Sequence, residues 1–293
     1  MSRIQHEKQN LSISEIHKIF DYRMKDSNVQ FDLDWTTATL FMSKKHYVLK
    51  IALNTLCNQN PIDWRIIKIY NERITDYDAR WNRECENYAQ ISKLNTESEM
   101  FQKLRIPHYY PSPPGLLLLE YIPGKNLDEI LDLHQFTPII AAKFAQWLNT
   151  LHHYGYVFGD QRLGNFLYSD WGEIYAVDLE ELDHGDPVDD LAGFLEAFLD
   201  YKSLIFENQI PEYPVQIMLG FLDSYLLSNE EMRSHFHQNR EIIRFFRNFL
   251  RKHLRKVANR RNYSFTEKQE NLIMDTLEHL CEQYPFQAIS GSK

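Results

Sequence analysis

The spacing of apolar positions changes near residue 123. Ahead of it, apolar residues fall in short alternating or β-branched stretches, Asn28–Asp34, Thr39–Met42, His46–Leu53 and Trp64–Tyr70, which read as antiparallel strands. A helix over about residues 13–25 precedes them, with Ser12 and Glu15 at capping-box spacing. After the strands, Asp76–Leu94 sets Trp81, Tyr88, Ile91 and Leu94 among charges and reads as an amphipathic helix. Pro107, Pro111, Pro113 and Pro114 then break the chain before Leu116–Ile122, a continuous apolar run of the buried-strand kind. Beyond Pro123-Gly124 the period turns helical, in Leu127–Leu133 and in Pro138–Tyr154, the latter with Thr137 as N-cap and proline at N1. Phe166–Tyr168 and Ile174–Val177, joined by Ser169-Asp170-Trp171-Gly172, carry a hairpin pattern, and the chain from Asp186 onward reads as helix. The expected class is α+β: an antiparallel-sheet part over residues 1–122 and a mostly helical part over residues 123–293.

Length and composition leave this picture standing. A chain of 293 residues with 43% hydrophobic residues can bury a sizeable core, and nothing in it is low-complexity. Cys57, Cys85 and Cys281 are too scattered for a metal site or a disulfide framework, which fits a reducing compartment. No apolar run reaches membrane-spanning length, and Met1–Lys8 has no hydrophobic signal core, so the expected location is cytoplasmic. The net charge of −9 hides a local +8 over Arg240–Arg261, which leaves −17 on the remainder. In Arg240–Val257 the apolar residues Ile242, Ile243, Phe246, Phe249, Leu250 and Val257 take one helical face and five arginines the other. That stripe is either a solvated face or a surface for an anionic partner.

Glycine is absent before Gly115 and then recurs eight times up to Gly193. The densest part contains the candidate chemistry. Gly159-Asp160-Gln161-Arg162-Leu163-Gly164-Asn165 sets an Asp and an Asn five residues apart, and Asp178 closes the strand that follows. Phosphoryl transfer uses such a set: one carboxylate to take the proton of the attacking hydroxyl, and an amide oxygen with a second carboxylate to hold Mg²⁺ against the phosphates. Each dipeptide alone is an ordinary turn; the joint spacing is what points to this chemistry.

This segment resembles the catalytic core of the aminoglycoside phosphotransferase and choline kinase-like enzymes. Their pattern runs G-D-x-R-x-x-N, then a hairpin ending in D-x-E, then G-D-P-x-x-D-L-A, which stands here as Gly185-Asp186-Pro187-Val188-Asp189-Asp190-Leu191-Ala192. The resemblance is specific over about residues 151–201 and extends from about residue 64. It implies a two-lobed protein kinase-like fold, a small antiparallel-sheet N-lobe with a larger helical C-lobe, and the use of ATP and Mg²⁺. Position by position, Asp160 resembles the catalytic base, and Asn165 and Asp178 the metal ligands. Arg162 either neutralises charge on the phosphate in transfer or braces the loop as an ion pair. Asp186-Pro187 has a sufficient structural reason as N-cap and N1. Phe158 takes the place of the usual bracing His, keeping the packing and losing hydrogen bonds.

On the nucleotide side, Trp64–Tyr70 resembles the V-A-I-K strand, making Lys68 the candidate for the α- and β-phosphates, with Lys50 its competitor on the neighbouring strand. Glu84 is the expected partner of Lys68, since Glu86 points about 200° round the helix. Leu116–Gly124 resembles the hinge that would offer the carbonyl of Glu120 and the N–H of Ile122 to adenine. With no glycine-rich loop in this half, Trp35–Thr39 is the best substitute turn. His134, His152, His153, His235 and His237 read as structural or surface residues.

The function implied is ATP- and Mg²⁺-dependent transfer of the γ-phosphate to a hydroxyl of a small-molecule acceptor. An atypical protein kinase, like the RIO kinases or the kinase of the tRNA threonylcarbamoylation complex, is the first alternative. A nucleotide-binding pseudokinase is the second. No Ala-Pro-Glu motif and no long segment between Asp178 and Asp186 is present, which argues against an ordinary protein kinase.

Overall fold

The computed structural model describes residues 11–25, 27, 31–41, 46–53, 63–97, 104–199 and 212–228. The basic stretch Arg240–Arg261, with Cys57, Cys281, His235 and His237, lies outside the described residues. Two compact units divide the chain, one of residues 1–96 and 106–122, the other of residues 97–105 and 123–293.

The first unit opens with α1 (Ile13–Met24), whose capping box forms as its sequence requires: Glu15 N donates to Ser12 Oγ, and Ser12 N to Glu15 Oε2 at 2.7 Å. Five antiparallel strands follow, β1 (Leu33–Phe41), β2 (Tyr47–Leu53), β3 (Trp64–Ile69), β4 (Tyr109–Tyr110) and β5 (Leu116–Glu120), in the order β1-β2-β3-β5-β4. The register pairs Leu49 with Ile67 and Ile67 with Leu118. Alternation then turns Leu49, Ile51, Ile67, Ile69, Leu116 and Leu118 to one face, where they pack with Ile16 and Phe20 of α1. Val48, Lys50, Ile66 and Lys68 take the other face, to which α2 (Tyr77–Glu97) presents Glu84.

Of two expected strands, Asn28–Asp34 and Thr39–Met42, Leu33–Asp34 and Thr39–Phe41 belong to the single strand β1; Phe31 and Asp32 precede it, and residues 28–30 and Met42 lie outside the described residues. Between Asp34 and Thr39 the β1–β2 register slips, because side chains near Asp34 satisfy local backbone and hydroxyl groups. Thr36 N and Oγ1 donate to Asp34 Oδ1, Thr37 Oγ1 donates to Asp34 O, and Ala52 N donates to Thr37 Oγ1. The turn expected at Trp35–Thr39 is therefore a bulge inside a strand, with both hydroxyls engaged in shaping it.

The second unit contains β6 (Gly124–Asn126), α3 (Leu127–Asp132), α4 (Pro138–His153), β7 (Tyr156–Val157), β8 (Phe166–Ser169), β9 (Ile174–Ala176), β10 (Asp183–His184), α5 (Pro187–Leu199) and α6 (Glu212–Ser228). Thr137 caps α4 with Pro138 at its start, and α5 begins at Pro187. The hairpin pattern at 166–177 forms as β8 and β9, with Leu167 opposite Tyr175 and Ser169 Oγ accepting from Glu173 N. β7 pairs with β10, Val157 opposite Asp183, so the strand leading into the Gly159 loop is paired to the one leading into α5. Phe144, Phe166, Phe194, Phe198 and Phe221 form the centre of the unit at ring-centroid distances of 4.7–6.4 Å.

Candidate active site

The expected site residues fall in both units. In the sheet unit, alternation along β3 turns Lys68 away from the core face, and Glu84, Tyr88 and Ile91 are the buried residues of α2, Glu84 reaching Lys68. Lys68 Nζ donates to Glu84 Oε2 at 2.6 Å, and the Tyr70 hydroxyl donates to the same oxygen. Lys68 is 8% exposed and Glu84 1% exposed, whereas Glu86 faces solvent. A buried carboxylate beside a buried ammonium fixes that ammonium in place, since either charge alone would be costly there.

Lys50 has a different environment on the same sheet face. Its Nζ lies over the rings of Trp64 and Tyr121, 4.4 and 3.8 Å from their centroids, a cation–π arrangement. The carboxylate of α2 goes to Lys68. Glu120 ends β5, and its backbone N donates to His108 O while its Oε2 accepts from His108 N at 3.1 Å. Its side chain thus holds the incoming chain at His108. Ile122 is buried, 3% exposed.

Cys85, next to Glu84, has its thiol pushed up to about 11, first by burial, with an opposing hydrogen bond from Tyr109. At pH 8 only about a thousandth of such a thiol is thiolate. Peptide-resolved mass spectrometry should therefore find Cys85 alkylated by iodoacetamide about 100-fold more slowly than a free thiol. Alkylation at the free-thiol rate would contradict this environment.

In the helical unit the Gly159 loop winds tightly: Asp160 N donates to Phe158 O, Arg162 N to Asp160 O at 2.7 Å, and Asn165 N to Arg162 O. Gly159 has φ +78, and a Cβ there would lie 2.2 Å from Glu181 O, so the turn admits only glycine. The loop brings Asp160, Arg162 and Asn165 together. Asn165 Nδ2 donates to Asp160 Oδ2 at 3.1 Å and to Asp160 O at 3.2 Å, which leaves the amide oxygen of Asn165 as the atom to offer a cation. Arg162 Nε lies 3.0 Å from Asp160 Oδ1, and the Arg162 side chain is 73% exposed. This is the bracing ion pair weighed in the sequence reading, and at such exposure it adds little stability.

Asp178 follows β9, which Val177 N ties to the loop by donating to Asn165 O at 2.8 Å. Its backbone is left-handed, φ 61 and ψ 60, a conformation disfavoured for a side-chain-bearing residue. A carboxylate oxygen of Asp178 and one of buried Glu180 lie within 4.8 Å of each other. With the Asn165 amide these are hard oxygen donors, the set that suits Mg²⁺. Glu180 had a signal in the D-x-E of the motif that the sequence reading left without a role.

Asp190 was likewise quoted in the motif and given no task. It is 0% exposed, and its carboxylate accepts from Phe158 N at 2.8 Å, Gly159 N at 3.2 Å and Gln161 Nε2 at 2.8 Å. α5 thereby pins the residues that lead into Asp160. Phe158 itself is fully buried against Trp147, Phe166 and Phe194, the packing expected of it.

An antiparallel-sheet unit with a Lys–Glu pair, and a helical unit with an Asp-x-x-x-x-Asn loop, define a kinase-like protein. Residues 39–191, just over half of the chain, match the ABC1 atypical kinase-like domain, and the chain belongs to that family. The match begins well ahead of the part in which the motifs resemble aminoglycoside phosphotransferases, and the family shown is this one. No curated protein matches the chain. Among solved structures it is similar to Rv3197 from Mycobacterium tuberculosis, solved as a complex with erythromycin, at 15% identity and a TM-score of 0.43. That similarity covers 72% of this chain and spans 60% of Rv3197's length. Among the described residues no helix is long and apolar enough to cross a membrane.

Proposed function

We propose that this protein is an ATP- and Mg²⁺-dependent phosphotransferase that phosphorylates a hydroxyl of a small-molecule acceptor. The observation that carries the reading is the loop geometry: Asp160 held by Asn165 and Arg162, one hydrogen bond from the turn that presents Asp178 beside Glu180. In this reading Asp160 accepts the proton of the acceptor hydroxyl as its oxygen bonds to the γ-phosphorus and the bond to ADP breaks. Asn165 and Asp178, with Glu180, would hold the metal, whose charge offsets that of the phosphates. Lys68, fixed by Glu84, would bind the α- and β-phosphates, and the backbone from Glu120 to Ile122 would receive adenine. Arg162, paired to Asp160 with its head exposed, would limit the charge that builds near the transferring group.

The acceptor class is supported by the short path from Asp178 to α5. The chain runs through one 3₁₀ turn and β10 straight to Pro187, and β10 pairs back with β7. The family's atypical-kinase description supports a second reading, phosphorylation of a protein. Incubation with γ-labelled ATP and pooled hydroxyl metabolites separates the two. Label in a small molecule is expected; label only in protein favours the second reading, and label in neither opposes both.

A further inference from the structure

α1 lies outside residues 39–191, the part of the chain that matches the family, yet one of its side chains reaches the end of the strand that carries Lys68. The Arg23 side chain is 7% exposed. Its guanidinium donates to Gly115 O and, at 2.8 Å, to Tyr70 O, and it pairs with Glu72 at 3.0 Å. Tyr70 N donates to the same Gly115 carbonyl at 2.9 Å, so Arg23 and Tyr70 share one acceptor where β3 ends and β5 begins. Gly115, the first glycine in the chain, has φ +76, and a Cβ there would overlap the Arg23 guanidinium. The backbone of Tyr70 is thus gripped from α1. Its fully buried side chain donates its hydroxyl to Glu84 Oε2, the oxygen that Lys68 Nζ reaches at 2.6 Å. The Lys68 ammonium lies 5.0 Å from the centre of the Tyr70 ring, and the His46 ring packs 4.3 Å from the same ring.

We propose that Tyr70 is a positioning residue for the Lys68–Glu84 pair, and that Arg23 holds Tyr70 in place, which makes α1 part of the support of the site. A carboxylate oxygen accepts more than one hydrogen bond, and a hydroxyl supplies one without adding a charge. The neutral donor fixes Glu84 Oε2 independently of the ammonium, so Lys68 can turn its hydrogens to a phosphate while the carboxylate behind it stays in position. That Tyr70 and Arg23 set the pair stands on these hydrogen bonds; that the pair serves a nucleotide rests on the phosphotransfer reading.

The test joins Mg-ATP kinetics of the full chain to melting temperatures without nucleotide. Tyr70→Phe removes one hydroxyl and is expected to raise KM for Mg-ATP about 5- to 10-fold with kcat within about two-fold, because phosphates held by Lys68 are bound alike before and during transfer. Arg23→Met should raise KM about three-fold or more. In the double variant KM should be no higher than in Tyr70→Phe alone, since Arg23 acts through that hydroxyl. Without nucleotide, Tyr70→Phe should lower the melting temperature by about 3 °C or more in wild type, and by less than about 1 °C in a Glu84→Ala background, where the acceptor is gone. Should Glu84→Ala not fold, Glu84→Asp, which withdraws the carboxylate by one methylene, takes its place. Equal losses of melting temperature in the two backgrounds overturn the proposal, since Tyr70 then only fills space. So does an unchanged KM in Tyr70→Phe, and effects of Arg23→Met and Tyr70→Phe that multiply in KM overturn the role of α1. Unequal melting losses in a protein that neither binds nor turns over Mg-ATP would leave the brace standing and sink the phosphotransfer reading.

Discussion

Asp160→Asn is expected to lower phosphoryl transfer about a thousand-fold while leaving the protein folded. The first half follows from the role of the carboxylate. An amide oxygen cannot take the proton of the acceptor hydroxyl at neutral pH, and general-base contributions of this size are typical. The second half follows from the site's construction. Asp160 is held by Asn165 Nδ2 and by Arg162, an amide oxygen can still accept from both, and the Arg162 side chain is mostly in water. Exchanging an exposed ion pair for a neutral contact should cost less than about 1 kcal/mol. Steady-state kinetics with urea unfolding of the same preparation checks both halves. Turnover within a few-fold of wild type would remove Asp160 from the chemistry.

Asp190→Ala is expected to do the reverse, with stability as its largest effect. Its carboxylate is the acceptor for two backbone N–H groups, an amide and an imidazole, all converging on a site without solvent exposure. Truncation leaves the Phe158 amide and the His152 imidazole buried without that acceptor, and the loss should be about 3–5 kcal/mol. The urea midpoint should fall with little change in the m-value, because the surface exposed on unfolding is nearly the same. A loss under about 1 kcal/mol would mean the donors find other partners, and the description of Asp190 as the anchor of the loop would be wrong.

Local features were legible in the sequence. The Ser12–Glu15 box, Thr137 with Pro138, and the hairpin across Ser169–Gly172 depend on residues within four positions of one another, so their spacing is their mechanism. Helical geometry made Glu84 rather than Glu86 the inward residue of α2, but Lys50 and Lys68 share a sheet face, and it is the ion pair in the structure that goes to Lys68. Features made by distant partners were not legible. β4, β7 and β10 are two residues long and exist because of what they pair with, which no periodicity records. Asp34 with Thr36 and Thr37 drew part of β1 into a bulge through side-chain bonds that resemble a turn in the sequence. The contacts of His152 with Asp190 and Tyr225 draw on three helices, and no spacing along the chain marks them.

Nucleotide binding itself decides between the phosphotransfer reading and a kinase-like scaffold. The direct measurement is the melting temperature of wild type and of Asp178→Asn, each with and without Mg-ATP. Wild type should rise by about 5 °C or more when Mg-ATP is near one hundred times its Kd, a shift that needs magnesium as well as nucleotide. Asp178→Asn should show no such rise while keeping its own melting temperature without ligand. No shift of the wild type at millimolar Mg-ATP, or an undiminished shift in Asp178→Asn, would contradict a metal–nucleotide site built on this loop.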